Sequence, residues 1–251
     1  MLDKFRVDQS VAIVTGGSKG IGKAITLALA ETGADIAVVS RTDQQDIREA
    51  VTGLGRRYLH YEADLTKRKQ AREVVPAVAE EMGDVNILVN NAGIIRRSPA
   101  SDYSEADWDD VLEIDLTAAF ILSQAAGRIM LKAGKGKIIN VGSVLSFQGG
   151  INVLAYATSK HGIAGLTKAL SNDWASKGIN VNALAPGFIE TGFTELLQKD
   201  PERSKAIIGR TPAGRWGVPD DIAGAAVFLA SPASDYIHGV ILPVDGGWMA
   251  W

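Results

Sequence analysis

The strongest constraint on the fold is an apolar strand that runs without a break into a glycine-rich turn and then a helix. The strand covers 11–15, and the turn has the spacing G-x-x-x-G-x-G over 16–22. The apolar residues that follow recur three and four positions apart, as on one helix face. They are Ile21, Ala24, Ile25, Ala28 and Leu29. Strand, tight turn and amphipathic helix in this order are typical of the first unit of a parallel α/β sheet.

Short β-branched runs alternate with segments of helical period along the rest of the chain. The predicted strands cover 11–15, 35–39, 58–63, 85–90, 137–141, 180–184 and 240–244. Several are almost continuously apolar, which is typical of central strands covered on both faces. We predict one domain over 1–251, an α/β, Rossmann-type, doubly wound parallel sheet of about seven strands with helices on both faces. A polar stretch at about 187–215 is predicted to be a substrate lid at the carboxyl edge of this sheet.

Composition excludes several other kinds of protein. The chain has no cysteine and therefore no disulfide framework or thiol nucleophile, and its three histidines are too scattered to predict a metal site. Its 26 Lys and Arg against 29 Asp and Glu offer no basic surface for nucleic acid or an anionic membrane. Because we find neither a signal peptide pattern nor an apolar run near the length of a membrane span, we expect a cytoplasmic protein.

The glycine-rich turn favours the binding of a dinucleotide. Glycines at these positions permit a tight turn, close approach of backbone N–H groups to an anion, and close packing of helix on strand. The helix N-terminus adds a partial positive charge. The turn lacks the lysine and Ser/Thr pair of an NTPase loop. The residues predicted to bind the cofactor here are Gly16, Ser18, Lys19, Gly20, Ile21 and Gly22.

Together with motifs further along, this turn resembles the short-chain dehydrogenase/reductase family over essentially the whole chain. Asn90-Asn91-Ala92-Gly93 matches the fourth-strand signature of that family, and Ser143, Tyr156 and Lys160 match its catalytic set. The resemblance implies hydride transfer between a nicotinamide and a secondary alcohol or ketone, with Tyr156 exchanging the proton. It also implies further cofactor contacts. They are Asp64, Leu65, Asn91, Ala92, Gly93, Tyr156, Lys160, Pro186, Gly187, Ile189 and Thr191.

The spacing of the catalytic residues has a physical rationale. Tyr156 and Lys160 are four residues apart in a helical segment and so share one face. A phenol titrates near pH 10, and a neighbouring ammonium is expected to lower its pKa towards the working range of an acid/base catalyst. Ser143 follows a predicted strand and is placed to hydrogen-bond the substrate oxygen as charge develops there.

Asp115 departs from the family pattern, which usually has asparagine at this position. In the family this residue contributes to a proton relay, chiefly through a helix kink whose backbone carbonyl holds a water near the lysine. Aspartate offers the same carbonyl, so we include Asp115 in the predicted catalytic set and expect activity to survive. Its carboxylate is also expected to be able to pair with Lys160 and change the pH optimum.

The end of the second predicted strand favours NADP(H) over NAD(H). An NAD-preferring site usually has a carboxylate here, which bonds the ribose 2′-hydroxyl and repels a 2′-phosphate. This chain has Ser40 at that position and Arg41 after it, with Lys19 as a second cation for the phosphate. The nearby Asp43 and Asp46 keep NAD(H) open as an alternative.

Four stretches resemble the sugar-acid branch of the family, the 2-deoxy-D-gluconate 3-dehydrogenase and 2-dehydro-3-deoxy-D-gluconate 5-dehydrogenase group. They lie at 94–97, 146–150, 212–217 and 245–248, and the first two flank the expected site. A hydroxylated carboxylate needs cations and amide donors. The predicted substrate contacts are therefore Ser143, Arg96, Arg97 and Gln148, although a solvated loop or an intersubunit contact explains the last three equally well.

Two other functions are compatible with parts of the sequence. A 3-oxoacyl-carrier-protein reductase shares the fold and catalytic residues, and Arg56-Arg57 with 67–69 offers a basic patch for an acidic carrier. A redox-sensing binding protein typically lacks the catalytic Tyr or Lys, both of which are present here.

The end of the sequence carries two indoles, Trp248 and Trp251. Indoles are rarely left fully exposed. We predict that these two pack against a neighbouring subunit, and the resemblance implies a homotetramer.

Overall fold

A single sheet of seven parallel strands organises the molecule, of which the computed structural model describes residues 1–250. The strand order is β3-β2-β1-β4-β5-β6-β7, so the chain starts in the middle of the sheet and crosses over after β3. The strands are β1 (Val11–Thr15), β2 (Asp35–Ser40), β3 (Tyr58–Glu62), β4 (Ile87–Asn90), β5 (Gly136–Val141), β6 (Ile179–Pro186) and β7 (Ile241–Val244). The predicted doubly wound α/β sheet is thereby confirmed.

Helices cover both faces of the sheet. They are α1 (Gly20–Glu31), α2 (Gln45–Gly53), α3 (Arg68–Met82), α4 (Glu105–Leu112), α5 (Ala118–Ala133), α6 (Leu154–Trp174), α7 (Glu195–Gln198), α8 (Pro201–Arg210) and α9 (Pro219–Ala230). Apolar side chains of α1, α2 and α9 form one core with the sheet, and those of α3 and α5 form another on the opposite face. This explains why the central strands are apolar on both sides.

Strand ends differ from the predicted bounds by one or two residues, except at β1. The largest difference is β6, which was predicted to end at residue 184 but extends to Pro186. It extends because β7 pairs with it as far as Pro186 opposite Val244. A proline is tolerated at a strand end, where its missing N–H leaves no ladder bond unmade.

The longest helical stretch, Glu105–Ala133, is long and apolar enough to cross a membrane by length and composition. The sequence did not predict any such run. Half of its most apolar window is buried within the protein, and α5 packs against α3 and the sheet. Burial of this kind is typical of a core helix.

The insertion, residues 187–215, contains α7 and α8 and packs against the end of the chain. Ile207 of α8 shares an apolar cluster with Trp216 and Trp248, and the ring of Phe188 lies 4.6 Å from that of Trp248 between centroids. Trp248 is only 7% exposed within its own chain. Its own chain therefore already covers Trp248, which removes the reason for predicting that it packs on a neighbouring subunit, while Trp251 lies outside the described residues.

A turn after β7 accounts for this packing of Trp248. The Asp245 carboxylate accepts hydrogen bonds from the backbone N–H of Gly247 at 2.9 Å and of Met249 at 2.9 Å. Gly246 and Gly247 have φ of +63° and +89°, which lets the chain reverse direction. The turn thereby brings Trp248 back against Phe188 at the carboxyl end of β6.

Candidate active site

One cavity of about 1360 Å³ opens at the carboxyl edge of the sheet. Every residue predicted above to contact the cofactor or the substrate lines this cavity. Asp115, the remaining predicted catalytic residue, is buried behind it. Ligands of open α/β sheets bind at this edge, where the strand order reverses. The cavity is therefore the candidate active site.

The phosphate loop at 16–22 fits a pyrophosphate sterically. Gly16 and Gly20 have φ of +62° and +50°, and a Cβ on Gly22 would lie 2.2 Å from the Gly16 carbonyl oxygen. Only glycine at these positions lets α1 begin this close to β1. The residues at the start of α1, where the first N–H groups of a helix have no partner within it, line the cavity, as an anion site requires. The residues present therefore fit the dinucleotide that the sequence predicts.

Asn90, the last residue of β4, and Asn91, which follows it, have different hydrogen-bond partners. Asn91 donates from Nδ2 to the carbonyl oxygens of Thr15 at 3.0 Å and Gly16 at 3.2 Å, which ties this turn to the phosphate loop. Asn90 instead points into the core, where its Nδ2 donates to Ser123 Oγ at 2.9 Å and Asn140 Oδ1 at 2.8 Å. Asn91 thus shapes the cavity wall, and Asn90 joins the sheet to α5.

Arg41, just after β2, and Lys19, in the phosphate loop, are two cations without carboxylate partners among the described residues. Among the described residues, neither Lys19 nor Arg41 forms an ion pair, and both line the cavity. The two acids that kept NAD(H) open are both engaged elsewhere. Asp46 pairs with Lys23 at 2.6 Å, and Asp43 pairs with Arg48 and accepts from the Tyr58 hydroxyl at 2.9 Å.

Ser143, Tyr156 and Lys160 come together where β5 ends beside α6. Lys160 Nζ donates to the Val141 carbonyl oxygen at 3.0 Å and lies 5.3 Å from the centre of the Tyr156 ring. Ser143 is nearly buried at the end of the same strand, close enough to lower the pKa of the Tyr156 phenol. A hydroxyl, a phenol and an ammonium therefore share one wall of the cavity.

Comparison with known proteins identifies the family. A family model described as enoyl-(acyl carrier protein) reductase matches residues 16–249. A 2-dehydro-3-deoxy-D-gluconate 5-dehydrogenase from Pseudoalteromonas atlantica is 50% identical over 99% of both chains. The chain is a short-chain dehydrogenase/reductase.

Two further proteins have a similar sequence identity to this chain. A 2-dehydro-3-deoxy-D-gluconate 5-dehydrogenase from Escherichia coli is 47% identical to this dehydrogenase, and the match covers 100% of this chain and 99% of the relative. A crystal structure with bound NADP, described as a 2-deoxy-D-gluconate 3-dehydrogenase from Agrobacterium tumefaciens, superposes with a TM-score of 0.94. It is 47% identical and covers 99% of both chains.

The phenol of this dehydrogenase lies in an environment that differs from the simple expectation. Burial raises the pKa of Tyr156, and this effect outweighs the Lys160 ammonium and the Ser143 hydroxyl, which both lower it. The Asp115 carboxylate raises the pKa further. Lys160 therefore acts as expected, but the net pKa of the phenol lies above its ordinary value rather than below it.

Asp115 is buried directly against Lys160. It stands in a π-helical turn, Glu113–Thr117, between α4 and α5. Its Oδ1 accepts the Ile94 N–H at 2.8 Å, and its Oδ2 lies 3.5 Å from Lys160 Nζ with no hydrogen bond. Burial raises the pKa of Asp115, and the Lys160 ammonium opposes that rise. The expected pairing of Asp115 with Lys160 is thus present, in a site that nearly excludes water.

The other predicted substrate residues, Arg96, Arg97 and Gln148, also line the cavity. Arg96 is held by Asp107 at 3.2 Å and Asp110 at 3.9 Å. Arg97 donates to the Phe193 carbonyl oxygen of the insertion at 2.9 Å. Gln148 lines the cavity without a hydrogen bond among the described residues.

Sequence reasoning missed residues that position the catalytic groups. The Ser146 hydroxyl donates to the Lys160 carbonyl oxygen at 2.8 Å and accepts the Ser143 N–H at 3.2 Å, which joins β5 to α6. The Thr15 hydroxyl accepts the N–H groups of Asn91 and Ala92, each at 3.0 Å. The sequence signal that could have identified them is a serine or threonine in an apolar strand or shortly after its end.

Proposed function

We propose that the protein is an NADP(H)-preferring dehydrogenase that interconverts a secondary alcohol and a ketone on a sugar acid. The substrate class is that of 2-deoxy-D-gluconate and 2-dehydro-3-deoxy-D-gluconate. The observation that carries this proposal is the single cavity in which the phosphate loop, Ser143, Tyr156 and Lys160 meet. Full-length identity of 47–50% to relatives named for this chemistry supports the substrate class.

Each catalytic residue has a role set by its position. When bound, the nicotinamide ring supplies the acceptor or donor of the hydride. Ser143 hydrogen-bonds the substrate oxygen and stabilises the charge that develops on it. Tyr156 takes the hydroxyl proton during oxidation and returns it during reduction. Lys160 stabilises the phenolate electrostatically, and it orients the nicotinamide ribose as the family resemblance implies.

The preference for NADP(H) follows from the charges at the end of β2. Arg41 and Lys19 offer cations to a 2′-phosphate, and Ser40 leaves room where an NAD-preferring site has a carboxylate. The Ser40 hydroxyl donates to the Thr42 carbonyl oxygen at 2.8 Å, which fixes the turn that carries Arg41. NAD(H) is the alternative cofactor in this proposal, with weaker binding.

The alternative substrate class, an acyl thioester on an acidic carrier protein, has less support. It needs unpaired basic residues on the surface, yet Arg57 pairs with Asp35 at 2.7 Å and Arg68 with Glu113 at 2.8 Å. Arg56 is engaged as well, donating to the Gly33 carbonyl oxygen at 3.1 Å. Two of the five basic residues at 56–57 and 67–69 therefore have their charge balanced by a carboxylate, and a third is tied to a backbone carbonyl.

The deciding experiment follows the absorbance of the reduced nicotinamide with purified protein. NADPH and NADH are compared on a panel of keto sugar acids and on one acetoacetyl thioester. Turnover of a keto sugar acid with NADPH is the expected result. Reduction of the thioester alone would replace the sugar-acid assignment with the carrier-protein alternative.

We also propose a cytoplasmic homotetramer in which the insertion closes over the substrate. Phe120 of α5 and Leu154 of α6 are 43% and 41% exposed, as is typical of residues at a subunit interface. Sedimentation should give four times the chain mass, and Phe120→Asp should lower it. A monomeric wild type would contradict the assembly, and a membrane-pelleted protein in fractionated cells would contradict the location.

A further inference from the structure

Besides Arg41, four arginines line the cavity, and we call the part that they line the substrate end. The four differ in how their charge is balanced. Arg96 is held by two carboxylates, and Arg97 by a backbone carbonyl. Among residues 1–250, the side chains of Arg203 and Arg210 have neither a carboxylate nor a hydrogen-bond partner. Uncompensated charge on the wall of a cavity attracts an anion.

Arg203 and Arg210 lie on the same face of α8. Arg203, Ala206, Ile207 and Arg210 are spaced i, i+3, i+4 and i+7, so they form one stripe along the helix. All four line the cavity, whereas Glu202 and Lys205 of the same helix do not. The helix therefore turns a cationic face to the substrate and keeps its other charges in solvent.

Arg210 has the more fixed position of the two. Its guanidinium carbon lies 4.0 Å above the Trp248 ring, which is itself held between the insertion and the end of the chain. Stacking on an aromatic face orders a guanidinium and leaves its N–H edge free for a carboxylate in a forked geometry. The entropy cost of ordering this side chain is thereby met before the substrate arrives.

We propose that Arg210, stacked on Trp248, binds the carboxylate of the sugar-acid substrate, with Arg203 on the same stripe as a second cation. The inference rests on the proposed function, because it requires an anionic substrate. It assigns the anion to the insertion rather than to Arg96, whose charge Asp107 and Asp110 already balance. The sheet then holds the reacting carbon while α8 recognises the acid end of the molecule.

The test is steady-state kinetics of Arg210→Met with the keto sugar acid that the wild type reduces and with its uncharged carboxamide. Losing a charge-assisted bond to a carboxylate should raise the KM for the acid by about 10- to 100-fold. The KM for the carboxamide and the Kd for NADPH should stay unchanged. Arg210→Lys, which keeps the charge but not the fork, should recover part of the loss.

Two further variants separate recognition from folding. Lys205→Met lies on the other face of α8 and should leave every constant at the wild-type value. Trp248→Leu removes the stacking surface and should raise the KM for the acid less than Arg210→Met does. Tm and NADPH binding measured for each variant identify any loss of fold, in which case Arg210→Lys decides.

The outcomes distinguish this inference from the proposed function. A wild type that reduces a neutral ketone or the thioester but no sugar acid overturns the proposed function, and this inference with it. A wild type that reduces the sugar acid, with the same KM in folded Arg210→Met, overturns only the role of Arg210. An equal rise of KM for acid and carboxamide also overturns it, because a carboxylate contact acts on the acid alone.

Discussion

The two ends of the cavity are built in different ways. At the nucleotide end, backbone atoms make the surface, and the Gly22 Cα approaches the Gly16 carbonyl too closely for any added carbon. At the insertion end, side chains make the surface, and Gly192 has open space where a Cβ would stand, as does Gly209 on the part of α8 that does not line the cavity. The first end is shaped by the path of the chain and the second by the choice of residues.

This difference indicates which end of the cavity tolerates substitutions that change ligand specificity. A pyrophosphate is recognised by N–H groups and glycines, so substitutions there disturb the loop itself. In our proposal the sugar acid is recognised by side chains of α8, a short helix that packs against Trp248 and is not part of the sheet layers. We therefore expect substitutions on the cavity face of α8 to change the substrate while leaving the phosphate loop unaltered.

The largest effect is expected where the two ends meet. Tyr156→Phe removes the group that exchanges the proton, so turnover should fall by about 10²- to 10⁴-fold. NADPH binding, followed by fluorescence titration, should persist because the phosphate loop is unchanged. Near-normal turnover would show that another group moves the proton.

Gly22→Ala tests the nucleotide end. The added methyl would lie 2.2 Å from the Gly16 carbonyl oxygen and 2.4 Å from Asn91 Nδ2, so the loop must shift. Overpacking of this kind should weaken NADPH and NADH binding alike by up to about 100-fold. Isothermal titration with both nucleotides measures it, and unchanged affinities would contradict the close approach.

Arg41→Ala sharpens the account of the nucleotide end by separating the two cofactors. Loss of the guanidinium should raise the Kd for NADPH by about tenfold, because one charge-assisted contact to the 2′-phosphate is lost. The Kd for NADH serves as the internal control and should not change. Equal effects on both nucleotides would remove the case for recognition of the phosphate by Arg41.

Asp115→Asn removes the buried charge beside Lys160, and it should change the pH dependence of kcat/KM more than the maximal turnover. The Asp115 carboxylate raises the pKa of Tyr156, so removing its charge lowers that pKa. Because alcohol oxidation needs the phenolate, the acid limb of kcat/KM should move to lower pH. Profiles that superpose would show that Asp115 is electrostatically silent, whereas turnover at the optimum should change only a few-fold.

The smallest effect is expected from Gly209→Ala in the insertion, the counterpart of Gly22→Ala. Gly209 lies within α8 with nothing within 4 Å of an added Cβ. Alanine should favour the helix and raise the free energy of unfolding by up to about 1 kcal/mol. Chemical denaturation measures this, and the kinetic constants should not change. A loss of affinity like that of Gly22→Ala would abolish the contrast between the two ends.

The sequence was sufficient to predict the sheet and the nucleotide end. β1 begins and ends at the predicted residues. The glycine-rich turn at 16–22 depends on backbone geometry that residues close in sequence determine, so the sequence is enough to predict it. Ser143, Tyr156 and Lys160 were identified by their match to the catalytic set of the family. They lie together because Ser143 follows β5 and the other two lie on α6, which packs beside it.

The insertion end was harder to predict because its contacts are distant in sequence. Trp248 looked exposed near the end of the chain, since nothing in its local sequence shows that Phe188 covers it. The stripe of Arg203 and Arg210 lay in a polar stretch that was interpreted only as a lid. Its meaning depends on which face of α8 looks into the cavity, and tertiary packing decides that.

The aromatic cluster around the insertion also gives this protein an intrinsic fluorescence signal for movements of α8. Of its five tryptophans, Trp216 and Trp248 both contact Phe188, so a movement of α8 changes the surroundings of two emitters at once. The stacked guanidinium of Arg210 lies directly on one of them. The intrinsic fluorescence should therefore respond to substrate at the insertion without any attached dye, and the absence of cysteine leaves the chain open to a single engineered label.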